Sequence, residues 1–493
     1  MKTYKHFING AYVDPAKCEW LESENPYTGE VWAQVPRGTK EDVDRAVAAA
    51  KAAMTTGPFA SMTASERGKM MRKLGDLVVE HGPRLAEIEV RDNGKLLAEM
   101  AGQLKYHPES WYYYAGLADK IEGAVVPIDK PGHLAFTTHE PIGVVGALTA
   151  WNSPLMFVAW KAAPAIAAGC SIVIKPSEFT SASALEFAAL TVEAGFPPGV
   201  FNVVTGYGQE AGAALVEHPD VAKITFTGAD TTGARIYSAA ALQMKRVSLE
   251  LGGKSPNIVF DDANLEAAAA GAVSGIFAAT GQTCIAGSRL LVQNSIKEQF
   301  VEKLLDIAKS AKIGDPMEAD TNIGPVTTPP QYEKIMDYIG VAQEGGATLL
   351  HGGKPATGPG VKGTRFVEPT IFTDVTNDMR IAQEEVFGPV LSIIGFDDEE
   401  EAMRIGNDVI YGLAAGVWTQ NIGRAVRMSK ALKAGTVWVN TYRAISYMMP
   451  FGGMKKSGIG RENGMEAIQE FLETKSVWIN TSEDAPANPF VMR

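Results

Sequence analysis

Between Ile142 and Leu251, short β-rich runs alternate with helix-length segments, and that alternation leaves few folds open. The runs are Ile142–Leu148, Ser171–Lys175, Phe201–Thr205, Lys223–Thr227 and Val247–Leu251. Leu155–Ala168, Ser181–Ala194, Gln209–Glu217 and Thr232–Leu242 separate them. Successive β–α–β units predict a parallel sheet covered by helices on both faces. Ligands of such sheets bind outside the carboxyl ends of the strands. After Gly253 the pattern restarts. Strands are expected at Asn257–Phe260, Leu290–Gln293, Pro389–Phe396 and Val437–Asn440, with helices at Leu265–Ala279, Glu399–Asn407 and Arg424–Lys433. Asp42–Met54 and Glu66–Lys120 read as mostly helical, Ala124–Glu140 as an extended excursion, and Ser476–Asn480 as strand-like.

At 493 residues the chain can form two or three domains, and its 46% hydrophobic and 21% charged residues are ordinary for a globular protein. A formal charge of −12 argues against nucleic acid as a partner, because that would need a concentrated basic face. Three scattered cysteines give no disulfide framework, and the seven histidines have no metal-ligand spacing. No metal is expected. The N-terminal residues lack the apolar core of a signal peptide, and the longest apolar run, Ala267–Ala279, is too short to span a membrane. These features predict a cytoplasmic protein without a membrane partner.

Cys284 lies in Gly281-Gln282-Thr283-Cys284-Ile285-Ala286-Gly287-Ser288-Arg289, among small and flexible residues that suit an accessible nucleophile better than a core thiol. Glu250 sits between two leucines, where desolvation would raise its pKa toward the range of a general base. A nucleophile with a tunable base is the minimum for two-step covalent chemistry. At the exit of one strand, Lys175-Pro176-Ser177-Glu178 puts a carboxylate where a dinucleotide ribose would lie, although a solvated turn pair fits the same residues. Gly228, followed by Thr231 and Thr232, opens a helix whose N–H groups suit a pyrophosphate, and Gly208 offers a second close-approach turn. Trp151-Asn152-Ser153 follows a strand end, from which the Asn152 amide, with the Cys284 N–H, can face an oxyanion.

Together these segments resemble the aldehyde dehydrogenase superfamily, in its NAD(P)-dependent hydrolytic branch. Leu249–Pro256, Gly281–Arg289, Glu384–Pro389 and Pro450–Gly458 carry the resemblance most specifically. It implies an α/β fold with a Rossmann-like cofactor domain (1–121 and 142–252) and a second α/β catalytic domain (253–466). A small β oligomerisation arm and tail (122–141 and 467–493) would make a homodimer or homotetramer. Cys284, Glu250 and Asn152 would be nucleophile, base and oxyanion donor. Thr149, Trp151, Lys175, Ser177, Glu178, Gly208, Thr227, Gly228, Thr231, Leu251, Glu385 and Phe387 would hold the cofactor. NAD is expected over NADP, because Glu178 would oppose a 2′-phosphate. The resemblance places Tyr106, Trp111, Ser153, Phe157, Trp160, Thr283, Ile285, Arg443 and Ile445 around the substrate. Ser153 and Ile445 stand where the family often has aromatics, which suggests a bulky or functionalised small-molecule aldehyde. Arg443 either meets a polar far end of that substrate or stands solvated at the mouth. A CoA-acylating semialdehyde dehydrogenase is the nearest alternative, and a cysteine hydrolase comes from another class.

Overall fold

The alternation in residues 142–251 builds the parallel centre of an eight-stranded sheet. Side by side run Arg246–Glu250, Val221–Thr227, Val144–Leu148, Ile172–Lys175 and Phe201–Val203. Val144–Leu148 and Ile172–Lys175 are buried throughout, as expected for parallel strands covered on both faces. His6–Ile8 and Ala11–Val13 extend one edge, and Gly458–Ile459 pairs antiparallel with Leu249–Glu250 at the other. The chain therefore returns to the first sheet within the span 253–466 assigned above to a second domain. This computed structural model describes residues 1–483, 488 and 490. The tail positions 484–487, 489 and 491–493 lie outside the described residues.

Strand order reverses between Val144–Leu148 and Val221–Thr227. The three strands running out to Phe201–Val203 precede the two on the other side. That switch point places the ends Leu148–Thr149 and Thr227–Gly228 side by side, where an open α/β sheet leaves a crevice.

The second sheet has seven strands in the order Thr348–His351, Thr370–Thr373, Val390–Phe396, Arg289–Gln293, Pro256–Val259, Ala414–Trp418 and Thr436–Val439. All pairs are parallel except the first. Ala414–Trp418 escapes a reading by propensity because Ala and Gly are poor strand formers. It forms through burial, with every residue covered. The extended excursion becomes His133–Pro141, paired along its length with Leu472–Asn480 in a separate two-stranded sheet.

The N-terminal helices Ala64–Asn93 and Leu97–Leu117 pack under the first sheet, and two carboxylates of the former hold later helices by their N-termini. Glu89 Oε1 accepts from Leu155 N at 2.8 Å and from Ser183 Oγ at 3.1 Å, fixing the start of the Pro154–Ala167 helix. Asp92 Oδ2 accepts from Ala182 N at 2.9 Å at the start of Ala182–Ala194, and its Oδ1 accepts from Ser23 Oγ. Burial pushes Glu89 up to about 7 and Asp92 up to about 6, with the donated hydrogen bonds opposing that shift.

A folded-state pKa above the unfolded value stabilises the fold at low pH and loses that contribution as pH rises through the folded value. Asp92→Ala leaves Ala182 N–H and the Ser23 hydroxyl without an acceptor and is expected to cost about 2–4 kcal/mol. Asp92→Asn keeps an acceptor and should cost less. From pH about 4 to about 6 the stability of the wild type should fall relative to Asp92→Asn, then level off. Denaturant midpoints at unchanged slope, measured across that range, check both statements.

Candidate active site

Cys284 follows a run of left-handed backbone: Ala279 has φ 57°, Thr280 φ 53° and Gly281 φ 68°. Such conformations cost a non-glycine residue on the order of 1–3 kcal/mol and persist only where surroundings enforce them. Here they do. Ala279 N donates to Glu99 Oε1 at 2.6 Å, Thr280 Oγ1 to Gly324 O at 3.2 Å, and Gln282 Nε2 to Pro325 O at 3.3 Å. Gln282 Oε1 accepts from Thr327 N at 2.9 Å. Glycine is required at 281, since a Cβ there would come within 2.1 Å of Gly388 O.

Asn152 Nδ2 donates to Gln282 O at 3.1 Å, which holds the amide against the loop that carries Cys284. Glu250 ends the edge strand of the parallel core, and neither of its buried carboxylate oxygens has a hydrogen-bond partner. Burial, reinforced by Glu462, raises the Glu250 carboxyl well above the usual range, against Lys161 and Arg461. Lys161 is itself buried, bonded to Glu462 and to Thr225 Oγ1. Burial also pushes the Cys284 thiol up to about 12, helped by Glu250 and Glu385, while the backbone N–H groups of Cys284 and Ile285 pull it down.

Three connected spaces meet here. A cavity of about 110 Å³ is lined by Asn152, Glu250, Leu251, Cys284, Glu385 and Phe387. On one side it shares Trp151, Thr227 and Gly228 with a cleft of about 730 Å³ over the switch point. Thr149, Lys175, Ser177, Glu178 and Gly208 line that cleft as well. Lys175 Nζ donates to Glu178 Oε2 at 3.2 Å. Glu385 Oε1 accepts from Gly253 N at 2.9 Å, an approach open because a Cβ at Gly252 would meet Glu385 Oε2 at 2.4 Å. The Asp230–Ala241 helix points its N-terminus here; its N-cap residue Ala229 has no capping side chain, and Asp230 Oδ1 accepts from Thr231 N at 2.8 Å. Buried hydroxyls of Thr149 and Thr227 lack partners. Unspent donors, an uncapped helix start and a ribose-level carboxylate fit a dinucleotide.

On the other side Asn152, Phe157 and Cys284 also line a cavity of about 590 Å³, together with Tyr106, Ser153, Trp160, Thr283, Ile285, Arg443 and Ile445. Three sequence expectations need correction. Trp111 does not reach this cavity: it is 0% exposed, stacked on Phe187 at 5.9 Å and packed edge-on to Phe196 in the core. Thr231 neither caps its helix nor lines the cleft; Ala229 is the N-cap, and Thr232 is the threonine facing the cleft. Ser153 does not simply leave room, because its Oγ accepts from Lys95 and Gln103 and donates to Asn152 O.

Lys95, Glu99, Gln103 and His107 line the same cavity and went unnoticed in the sequence. The spacing of Glu99, Gln103 and His107, four residues apart along one helix, was the available signal. Among the described residues, no helix is long and apolar enough to cross a membrane.

The aldehyde dehydrogenase family model matches residues 12–477. A (Z)-2-((N-methylformamido)methylene)-5-hydroxybutyrolactone dehydrogenase of Acinetobacter baylyi is 46% identical over 494 residues, covering 100% of both chains. Aldehyde dehydrogenase family 2 member C4 of Arabidopsis thaliana is 45% identical, over 97% of this chain and 95% of its own. Betaine aldehyde dehydrogenase from Staphylococcus aureus, solved in complex with NAD+, superposes with a TM-score of 0.97 at 42% identity, covering 99% of this chain and 97% of its own. Matched by the family model from residue 12 to 477 and alike to these relatives along almost its whole length, the chain is an enzyme of the aldehyde dehydrogenase family.

Proposed function

We propose that this enzyme oxidises a functionalised aldehyde to its carboxylic acid with NAD, through a covalent intermediate on Cys284. The observation that carries this reading is the small cavity shared by Cys284 and Glu250, where the substrate cavity and the cofactor cleft meet. The Cys284 thiol gives up its proton to solvent as its sulfur bonds to the carbonyl carbon, and the resulting oxyanion takes hydrogen bonds from the Asn152 amide and the Cys284 N–H. NAD, when bound, supplies the hydride acceptor. The thioester left on Cys284 is then attacked by water whose proton passes to Glu250; collapse releases the acid and returns the thiolate. A buried Glu250 with a raised pKa is a stronger base but is ionised only as pH rises.

Lys175, Glu178 and the Gly228 turn would hold the adenosine end, and Glu385 the nicotinamide ribose. The functionalised substrate is inferred from the polar groups of the large cavity. It is in keeping with relatives named for a substituted hydroxybutyrolactone and for betaine aldehyde. Glu250 favours water over CoA as the acceptor. A cysteine hydrolase would need a histidine bonded to the thiol. His107, the histidine in the cavity wall, packs against Trp111 and Phe187, and burial pushes it down to about 3. We also infer a cytoplasmic setting, two α/β domains divided near residue 252, and assembly through the arm. A lone two-stranded sheet is marginal in water, and this one exposes Leu134, Trp478 and Ile479.

Cys284→Ala is expected to abolish formation of reduced cofactor. Glu250→Gln should give one burst and then a steady rate lower by roughly 10²–10⁴-fold, without the wild-type rise in deacylation with pH. Stopped-flow absorbance across pH reads both; full steady turnover in the Gln variant would move the base elsewhere. For the cofactor, kcat/KM with NAD should exceed that with NADP by about tenfold or more, or ~1.4 kcal/mol, since Lys175 offsets part of the Glu178 repulsion. Glu178→Gln should narrow that ratio; a wild-type preference for NADP would refute the assignment. Light scattering at micromolar concentration should give a dimeric or tetrameric mass, and a monomer would exclude assembly through the arm.

A further inference from the structure

One wall of the substrate cavity is charged. Glu99, Gln103 and His107 face it from the Leu97–Leu117 helix, Lys95 from the preceding turn, and Arg443 from the segment after the Thr436–Val439 strand. Both cations are held in place. Lys95 is 4% exposed and donates to Ser153 Oγ at 3.2 Å. Arg443 Nη1 donates to the carbonyls of Ser274 and Ala278 at 3.1 and 3.0 Å and makes no other hydrogen bond among the described residues. Its backbone is left-handed, at φ 65°. The neighbouring Tyr442 is locked by its hydroxyl on Ile285 O at 3.0 Å and by its ring against Trp438. A strained backbone held this firmly keeps the guanidinium where it is.

Lys95 and Arg443 share this wall with one carboxylate, Glu99, which is within electrostatic reach of both, and the buried Glu89, outside the lining, also reaches Lys95. Glu99 Oε1 is taken by Ala279 N, and Oε2 is buried with no hydrogen-bond partner. Burial keeps Cys284 and His107 neutral. Both cations line the same cavity of about 590 Å³. Two cations held apart from contact ion pairs, with donors to spare, form an anion site.

We propose that the cavity is built for an aldehyde carrying one carboxylate at its far end, an oxo acid, bound by Lys95 and Arg443. This rests on the aldehyde-oxidising reading above. The same two cations could instead serve to stabilise the Cys284 thiolate, and that role would show with every substrate. Rates with NAD on 4-oxobutanoate, its methyl ester and betaine aldehyde separate the cases. The acid should exceed the ester in kcat/KM by roughly tenfold or more, with the cationic aldehyde poorest. Arg443→Met and Lys95→Met should each bring the acid-to-ester ratio toward one, through KM for the acid. Arg443→Lys, which keeps the charge, should retain more of the ratio than Arg443→Met even if the carbonyl contacts weaken. Equal losses on acid and ester in both Met variants would overturn the proposal in favour of thiolate stabilisation. Turnover of the ester with an acid-to-ester ratio near one in the wild type would overturn it alone; no turnover of any of the three would bring down the oxidation reading with it.

Discussion

The nucleophile loop depends on the side chain of Gln282. Fully buried, it accepts from Thr327 N and donates to the carbonyls of Pro325 and Ala279, while its own carbonyl receives the Asn152 amide. One residue thus ties the strained turn to the loop at 325–327 and to the group that would face an oxyanion. Loosening it would release the left-handed backbone of Ala279 and Thr280 and would let Asn152 turn away. Catalytic geometry of this kind needs supporting groups that are themselves fixed, because a shift of an ångström at the reacting atoms is felt in rate.

The second constraint is electrostatic. Glu250 and Glu385 stand near a buried thiol, and Glu462 near Glu250, so burial and neighbouring carboxylates raise the cost of ionising Glu250 and Cys284. Lys161, buried beside Glu462, is the local offset. A thiol pushed up to about 12 is a poor nucleophile, so the resting site leans toward the neutral pair. The N–H groups of Cys284 and Ile285 favour the thiolate from the other direction. Reactivity therefore depends on what enters the cavity and changes its dielectric and charge.

The sequence carried these features unevenly. Strand–helix alternation was enough for the parallel centre of the first sheet, because parallel strands write themselves as apolar runs such as Val144–Leu148, but not for its strand order or its antiparallel edges. It was not enough for Ala414–Trp418, whose small residues form a strand only because neighbours bury them. Cys284 and Glu250 stood in long motifs and Asn152 only in a short one that gained weight from the resemblance, and the structure brings all three to one cavity. The substrate wall was less legible. Trp111 looked like a pocket aromatic and proved to be core, since helix phase decides which face an aromatic covers. Its polar neighbours on the same helix, Glu99, Gln103 and His107, were the residues in phase with the cavity.

That helix phase also explains why the cavity wall and the nucleophile loop cannot vary independently. Glu99 lines the cavity and at the same time accepts from Ala279 N, at the start of the strained turn. Ser153 receives Lys95 and Gln103 and passes a hydrogen bond to Asn152 O, next to the oxyanion amide. Arg443 lies in the cavity and holds Ala278 O, one residue before the turn. Residues that would choose the substrate are thus the same ones that brace the chemistry. The cavity wall and the turn before Cys284 are parts of one hydrogen-bonded frame, so a substitution in the wall also acts, through one intervening residue, on Asn152 and on that turn.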